Sequence, residues 1–426
     1  MRAEPITNRQ FQRSAEDWRV LAGSGAVAWF GAPSHRAGAA LARWIADRSS
    51  NGGPRPDVDV RGSGVRVTID DTGGLTSADR TLAQAISTTA RELGLAADPS
   101  VPQGLAWTID TMNLPTVLPF WQTLLGYRDS ADGELRDPLR RDPRVRFRSA
   151  PPSLLRDRVH FDVSVTRDEA LRRAATVTEA YAAGGEYRPD EWQVLLTDAE
   201  GNEVDLVPAG TVDEAQAADW RLPFGGMVFY RSGDPVVVAE LADRVATVAD
   251  ETGLPLMIDI RAEGVMIDTG KDQWEDARFG DTARRVQAVA RDLGLTPDPT
   301  RLRFLQVCID AVDVVAVREF WRTVLGYRND DRDGVTDIYD PRRLNRPMIF
   351  QRLDPVDVGR REQRNRIRLE LQLPDDQVAA RIEAALAAGG RITGEGGATI
   401  VDPEGNEVDI VSVAVDPVIS DAPRRS

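Results

Sequence analysis

The sequence contains few of the side chains that most often carry catalytic or metal chemistry. Among its 426 residues it has one cysteine, Cys308, and two histidines, His35 and His160. A single cysteine excludes an intrachain disulfide and a cysteine-cluster metal site. Two histidines exclude a site built from three histidine ligands and leave two positions for proton transfer by an imidazole.

The chain also lacks an excess of basic residues and a long apolar run. Its 68 acidic residues outnumber 53 basic ones, Lys271 is the only lysine, and the net charge is −15. Nucleic-acid binding draws most of its affinity from neutralised phosphates, which an acidic chain repels. The longest uncharged stretch, 111–127, contains prolines and falls short of the roughly 20 apolar residues of a membrane span. Because the first residues also lack a signal-peptide pattern, we expect a cytoplasmic protein that binds neither nucleic acid nor membrane.

What the sequence does contain is an internal repeat. FWQTLLGYR, starting at Phe120, returns as FWRTVLGYR at Phe320, and GNEVDLV at Gly201 returns as GNEVDIV at Gly405. Each copy divides again near an Asp-Pro pair, which marks a turn. The repeat predicts two short modules, at residues 8–99 and 211–299, two long modules, at residues 100–210 and 300–415, and a flexible tail at residues 416–426.

The long modules alternate strands with two helices. Leu105–Asp110 and Arg158–Val165 place apolar and polar residues on opposite faces, as half-buried strands do. Asn113 and Gly126 bracket an apolar helix as its cap and its stop. A second helix and a closing hairpin follow, over residues 168–184, 191–197 and 203–207. This order predicts an α+β fold.

Two motifs give the long modules a family resemblance. The helix motif FW-x3-LGYR precedes the turn motif D-x-EGNE-V-D, at Asp198 and Asp402, in both copies. With these motifs the long modules resemble the vicinal oxygen chelate superfamily, in its glyoxalase-like, bleomycin-resistance-type branch. The resemblance implies that paired βαβββ units in each module curl into a cup, with a ligand or a divalent metal on its polar concave face.

The resemblance further implies a metal site in the first long module. The family takes its ligands from the first, fourth, fifth and eighth strands, and three of these positions fall at Ala106, His160 and Asp205. Alanine offers no donor atom, so His160 and Asp205, with Glu203 as a third candidate, are the predicted ligands of a divalent ion. A hydrogen-bonded or solvated His160 is the alternative. The polar strand faces add two ligand-binding candidates, Asp110 and Asp162.

The same positions in the second long module predict a different ligand. They fall at Gln306, Arg368 and Asp409, and an arginine stays protonated and repels a metal ion. We therefore expect an anion or carboxylate on the fork of Arg368. The further candidates on this predicted face are Gln306, Asp310, Glu370 and Asp409, beside Cys308. A salt bridge between Arg368 and Glu370 on an ordinary strand face is the alternative.

The short modules resemble pterin-4a-carbinolamine dehydratase in their order of elements, from Trp18 to the segment RPDVDVRGSGVRVTIDDTGGLTSAD. The three histidines of that family's site are absent from both copies; Asp70 occupies one position in the first. The resemblance therefore implies a dehydratase-like fold without dehydratase activity. His35 matches none of these positions and is predicted to be a surface or helix-start residue.

Two functions follow from these observations. The first is a binder of a small anionic or aromatic molecule in the cups, with weak or no catalysis and no cofactor. The second is a metal-assisted lyase, isomerase or dioxygenase acting through the first long module. A scaffold that oligomerises through its short modules stays open as a third. The duplication predicts an intrachain pseudo-dimer, and a homo-oligomer stays open beside it.

Overall fold

The computed structural model of the chain describes residues 4–50, 53–70, 73–130, 133–151, 155–181, 194–212, 217–393 and 399–413. The predicted tail at 416–426 and the first residues of the predicted strand at 191–197 lie outside this range. Every helix in the described segments is too short or too polar to cross a bilayer.

Helices and strands alternate throughout these segments, and the mixed α+β class is confirmed. The α-helices are α1 Asn8–Ser14, α2 His35–Ser50, α3 Ser77–Glu92, α4 Leu114–Leu125, α5 Arg167–Tyr181, α6 Pro235–Thr252, α7 Phe279–Asp292, α8 Val314–Leu325, α9 Val358–Glu362 and α10 Asp375–Ala387. The strands of the first half are β1 Trp18–Leu21, β2 Gly25–Gly31, β3 Asp57–Arg61, β4 Gly64–Ile69, β5 Ala96–Ala97, β6 Gly104–Thr111, β7 Arg128–Asp129, β8 Leu135–Arg136, β9 Arg144–Ser149, β10 Val159–Val165, β11 Val194–Thr197 and β12 Glu203–Pro208. Those that follow are β13 Gly210–Thr211, β14 Arg221–Leu222, β15 Gly225–Arg231, β16 Met257–Arg261, β17 Gly264–Lys271, β18 Arg303–Ala311, β19 Arg328–Asn329, β20 Ile338–Tyr339, β21 Met348–Arg352, β22 Ile367–Gln372, β23 Arg391–Thr393, β24 Thr399–Val401 and β25 Glu407–Val411.

The two short modules share one ten-stranded antiparallel sheet. Its order is β1-β2-β4-β3-β16-β17-β15-β14-β13, with β5 beside β2, and the modules join where β3 pairs with β16. Helices α2 and α6 pack along each other, and the apolar side chains of both modules form one core. His35 lies at this junction rather than on the surface: it begins α2 and is 5% exposed. Its Nδ1 lies 2.9 Å from the Asp250 carboxylate and its Nε2 lies 3.0 Å from the Leu256 carbonyl oxygen.

The two long modules exchange halves. Strands β6–β9 of the first module and β22–β25 of the second form an eight-stranded sheet, in the order β23-β24-β25-β22-β6-β9-β8-β7. Strands β10–β12 and β18–β21 form a seven-stranded sheet, in the order β11-β12-β10-β18-β21-β20-β19. The expectation that each module builds a cup from its own halves is therefore wrong. Because the repeats share one pattern of apolar residues, the first strand of either copy can pair with the fifth strand of either copy, as in a domain swap.

The helices of the long modules cover the apolar faces of both sheets, and the two family motifs hold them there. Trp121 in α4 donates from Nε1 to Asp198, and Trp321 in α8 donates to Asp402, at 2.9 and 3.0 Å. The carboxylate of Glu200 accepts bonds from the backbone N–H groups of residues 112 and 113, where α4 begins. Gly126 ends this helix at φ 63°, a left-handed conformation that glycine adopts without a Cβ clash. The motifs therefore bind the helices α4 and α8 to the turns at Asp198 and Asp402. The opposite, polar face of each sheet is not covered by these helices.

Candidate functional site

The polar face of the seven-stranded sheet follows from strict alternation along three adjacent strands. In β10 the apolar residues at 159, 161, 163 and 165 enter the core, so His160, Asp162 and Ser164 project from the other face. Asp162 stands opposite Gln306 of β18 and opposite Asp205 of β12. His160 stands opposite Cys308 and Asp310 follows in the same strand.

Short contacts join these side chains into one cluster around Asp162. Gln306 donates from Nε2 to Asp162 Oδ2 at 2.7 Å, and the Cys308 thiol donates to the same oxygen at 3.2 Å. The other oxygen, Oδ1, lies 3.8 Å from His160 Nε2. His160 and Gln306 are each 2% exposed. One ligand atom from each of His160, Asp162 and Cys308 lies within 4.8 Å of the other two. The cluster is buried and offers nitrogen, oxygen and sulfur donors.

Several buried polar atoms of this cluster have no hydrogen-bond partner in the protein. They are His160 Nδ1, Asp162 Oδ1, Ser164 Oγ, Asp205 Oδ1 and Gln306 Oε1. Buried polar atoms without a partner are scarce in native proteins, and each one costs about 1–3 kcal/mol of desolvation. All five lie on the polar face of the seven-stranded sheet, on the adjacent strands β10, β12 and β18.

The acidic groups of this face divide into paired and uncompensated ones. Glu203 accepts from Arg156 at 2.6 Å and Asp310 accepts from Arg360 at 2.5 Å. Asp205 has no such partner in the described residues, and burial, with the nearby Asp162 carboxylate, raises its pKa to about 6. Burial and the same carboxylate raise the pKa of the Cys308 thiol well above its usual range.

The eight-stranded sheet carries arginine where the seven-stranded sheet carries histidine. Arg368 of β22 stands at the position of His160, and its guanidinium lies 3.2 Å from Glu407, 3.4 Å from Asp110 and 3.4 Å from Asp409. Arg364 adds a second contact to Asp110 at 2.6 Å. The side chains of Arg368 and Asp110 are 5% and 1% exposed, so this pair is neutralised away from solvent, whereas Arg364 and Asp409 lie nearer the surface.

A second set of ion pairs occupies the rest of that face. Glu370 stands at the position of Asp162, and it accepts from Arg144 at 3.1 Å and from Arg146 at 2.5 Å. Arg146 also pairs with Glu134, and Arg148 lies 3.1 Å from Asp110. Every acidic group of this face that the sequence predicted as a ligand therefore already has a cationic partner.

The exchange of halves redistributes the predicted site residues. Gln306 and Asp310, expected beside Arg368, lie with His160, Asp162, Glu203 and Asp205. Asp110, expected beside His160, lies with Arg368, Glu370 and Asp409. The alternative that the sequence left open, a salt bridge of Arg368 with Glu370, is replaced by contacts of Arg368 with Asp110, Glu407 and Asp409. Sequence reasoning missed the paired arginines of β9 as neutralising groups, although RVRFRS, with an arginine at every second position, signals a basic strand face.

Comparison with known proteins gives matches for the long modules. Residues 106–207 and 306–411 each match the family described as the glyoxalase-like domain. No curated protein matches the chain. The resemblance of the short modules to pterin-4a-carbinolamine dehydratase has no match and stays a prediction.

The solved structures to which the chain is similar share little sequence identity with it. Glyoxalase I from Zea mays is 12% identical over 73% of this chain and 93% of its own, with a TM-score of 0.36. A putative dioxygenase from Bacillus subtilis is 10% identical over 72% of this chain and 84% of its own, with a TM-score of 0.33. A 2,3-dioxygenase from Pseudomonas is 12% identical over 74% of this chain and 92% of its own, with a TM-score of 0.19.

Proposed function

The chain carries two copies of the glyoxalase-like domain, and from this premise we propose that its seven-stranded sheet binds a divalent metal ion together with a small oxygen-bearing molecule. The observation that carries the proposal is the group of unpartnered buried donor atoms on His160, Asp162, Asp205 and Gln306. Imidazole, carboxylate and amide oxygen together suit first-row divalent metals. The types of donor therefore suit such an ion, and the ligand atoms of His160, Asp162 and Cys308 lie within 4.8 Å of one another.

The register supports the same ligands as the family resemblance. Gln306, His160 and Asp205 occupy the first-, fifth- and eighth-strand positions that the resemblance marks as metal ligands. They come from both long modules, on the adjacent strands β18, β10 and β12. On β21, the fourth of these strands, the Gln351 side chain reaches the same cluster, with its Nε2 3.7 Å from Cys308 Sγ.

Electrostatics favours a cation at this place. Asp162 and Asp205 are neighbours across β10 and β12, and among the described residues no guanidinium or ammonium group lies within ion-pair distance of either, because the nearby Arg156 pairs with Glu203. Burying two carboxylates side by side without a cation is unfavourable, and this is one cause of the raised pKa of Asp205. A divalent ion would offset both charges, as the arginines do in the eight-stranded sheet.

The reaction class that follows is a metal-assisted lyase, isomerase or dioxygenase reaction on a small oxygenated substrate. A bound divalent ion acts as a Lewis acid that polarises a carbonyl or hydroxyl oxygen. The chain's own contribution is orientation: Gln306 and Cys308 hold Asp162 Oδ2 and leave Oδ1 for binding. The burial of these side chains limits water at the site, which strengthens electrostatic interactions there. Binding without catalysis would use the same residues.

Metal analysis of the purified protein, followed by calorimetric titration of the chelator-treated protein with Zn²⁺, Ni²⁺ and Mn²⁺, tests the proposal. We expect one ion per chain, and His160→Ala and Asp205→Asn should each weaken it by about 100-fold or more. Asp310→Asn is the matched control, because this acid lies on the same face but is bound by Arg360. A wild type that retains no ion and binds none at micromolar concentration would refute the metal site. Wild-type binding with no turnover of 2-oxoaldehyde hemithioacetals or catechols would favour the binder.

A further inference from the structure

A cavity of about 240 Å³ lies between the ten-stranded sheet and the segment 330–347 of the second long module, at the end of the polar face of the seven-stranded sheet where Phe304 stands opposite Ser164. The sheet contributes Met257 and Lys271, and the long module contributes Phe304, Tyr339, Arg343 and Arg346. Its volume is just below the roughly 300 Å³ at which pockets for drug-sized molecules begin. The walls combine aromatic rings with charged groups, which suits a small amphipathic ligand.

The charge of the walls is opposite in sign to that of the chain. Eight basic and six acidic residues line the cavity, whereas the chain carries −15. Lys271 pairs with Asp337, and Arg332 lies 2.8 Å from Asp330. Arg343 differs from these: it donates from Nη1 to the Thr269 carbonyl at 2.6 Å, and no carboxylate of the described residues lies within ion-pair distance of it.

Two more features distinguish the part of the cavity wall formed by Arg343 and Arg346. The backbone of Arg343 has φ 53°, a left-handed conformation that is uncommon for a residue with a Cβ and that tends to persist at functional sites. Arg346 is 8% exposed, and its Nη2 has no hydrogen-bond partner in the protein. The guanidinium of Arg346 lies 5.0 Å from the centre of the Phe304 ring. Two guanidinium groups thus keep donor capacity beside an aromatic surface.

The first half of the chain has the same arrangement around Arg140, but there a carboxylate of the protein itself, that of Asp57, binds the arginine. Arg140 is the repeat counterpart of Arg343, at φ 50°, and it binds Asp57 through Nε at 2.5 Å and Nη2 at 2.7 Å. The counterpart of Asp57 in the second half is Met257, which has no charge. The matching cavity beside Arg140 is smaller, about 140 Å³. The second half therefore keeps the arginine and its strained backbone but lacks the carboxylate.

From this comparison we infer that the larger cavity binds a small organic carboxylate, with its anionic group on Arg343 and its apolar part against Phe304, Tyr339 and Met257. The carboxylate takes the place that Asp57 occupies beside Arg140. Arg346 lines the same cavity; its Nε pairs with Asp142, and its unpartnered Nη2 offers the carboxylate a second donor. The cavity borders the same polar face as the proposed metal centre, but its lining does not include His160, Asp162, Asp205 or Gln306, so the inference does not depend on a bound metal ion.

The test uses benzoate, propionate and pyruvate as probes in calorimetric titrations of the full chain, with benzamide and propionamide as neutral controls. We expect at least one carboxylate to bind, its amide not to bind, and Arg343→Gln to weaken binding by at least about 10-fold. The decisive pair is Met257→Asp and Met257→Asn, which differ by one charge. The aspartate should supply the missing internal anion and abolish binding, and the asparagine should retain most of it.

Thermal unfolding of each variant shows whether it is folded, and Arg343→Gln remains the readout if Met257→Asp does not fold. Three results would overturn the inference. They are no binding of any of the three carboxylates below about 10 mM, equal binding to wild type and Arg343→Gln, and equal loss of binding in the two Met257 variants. Binding that survives in His160→Ala would show that the carboxylate does not enter through the metal site.

Discussion

The two polar faces of the long modules are built on matching strands, but they differ in how their acidic side chains are paired with basic ones. At matching positions the seven-stranded sheet has Gln306, His160, Asp162 and Asp205, and the eight-stranded sheet has Ala106, Arg368, Glu370 and Asp409. Both bury acids on adjacent central strands. In the eight-stranded sheet arginines neutralise these acids, and in the seven-stranded sheet no described arginine or lysine forms an ion pair with Asp162 or Asp205.

The difference teaches which face is structural and which is available to a ligand. A buried ion pair holds its members in place, and removing one partner leaves a buried charge uncompensated. A buried donor group without a partner instead has free coordination capacity. The comparison therefore separates a closed face, where the buried acids form ion pairs with arginines, from an open face, where Asp162 and Asp205 form none and where we propose that a ligand binds.

The largest effect should come from opening the closed face. Arg368→Leu removes the guanidinium that contacts Asp110, Glu407 and Asp409. We expect a loss of about 3 kcal/mol in the free energy of unfolding, because buried acids lose their partner. Urea unfolding followed by circular dichroism measures it. His160→Leu, at the matching position, is the control and should cost less than about 1 kcal/mol in the presence of chelator. Equal losses in both variants would contradict the division into closed and open faces.

The next effect should come from closing the open face. His160→Arg places a guanidinium where the eight-stranded sheet has Arg368, beside Asp162 and Asp205. We expect metal affinity to fall by about 100-fold or more, because the variant both removes a ligand and introduces a fixed cation. In the presence of chelator, the free energy of unfolding of His160→Arg should be equal to or higher than that of the wild type, whereas that of His160→Ala should not rise. Tight metal binding by His160→Arg would show that the ion, if any, lies elsewhere.

Most local structure was accessible from the sequence because local signals determine it. The helix from Asn113 to Gly126 and the strand over Arg158–Val165 were predicted within one or two residues, since caps, stops and alternation are properties of short segments. Alternation also assigned His160, Asp162 and Asp205 to polar faces. The same reasoning fails at a junction: His35 is polar and begins a helix, yet a partner module buries it.

The pairing of halves could not be predicted from the same signals. Strands β6 and β18 carry the same alternation, and so do β10 and β22, so either first strand satisfies the register of either fifth strand. Only the differences between the copies carry information, and they act through contacts that form after pairing. Placing Gln306 beside Asp162 requires knowledge of that pairing. The predicted division of ligands between the modules was wrong for this reason.

A smaller effect should appear in the pH dependence of the open face. The folded-state pKa of Asp205 is raised to about 6, and Asp162, His160 and Glu203 with its partner Arg156 surround the group. The folded state then holds this proton more tightly than the unfolded state, whose carboxyl has a pKa of about 3.9. Stability from this group is therefore complete below pH of about 4 and is lost as the pH rises through about 6, by about 2 kcal/mol.

Urea unfolding of the chelator-treated protein at several pH values between about 4 and 7 measures this dependence. The difference between wild type and Asp205→Asn isolates it, because other shifted groups such as Asp157 are common to both proteins. Saturating Zn²⁺ should reduce or reverse the slope, since a bound cation favours the carboxylate. A wild-type slope identical to that of Asp205→Asn would show that Asp205 is not in the crowded acidic environment described here.

The smallest effect should come from Cys308, whose counterpart in the closed face is Thr108. The thiol is fully buried, donates to Asp162, and has a pKa well above its usual range because of burial and that carboxylate. Metal binding through sulfur requires the thiolate, so we expect Cys308 to orient Asp162 rather than to ligate. Cys308→Thr keeps a donor of similar size and should change Zn²⁺ affinity by less than about 10-fold. A larger loss, with Gln306→Ala leaving affinity unchanged, would instead identify His160, Asp162 and Cys308 as the ligands and move the ion toward β21, away from Asp205.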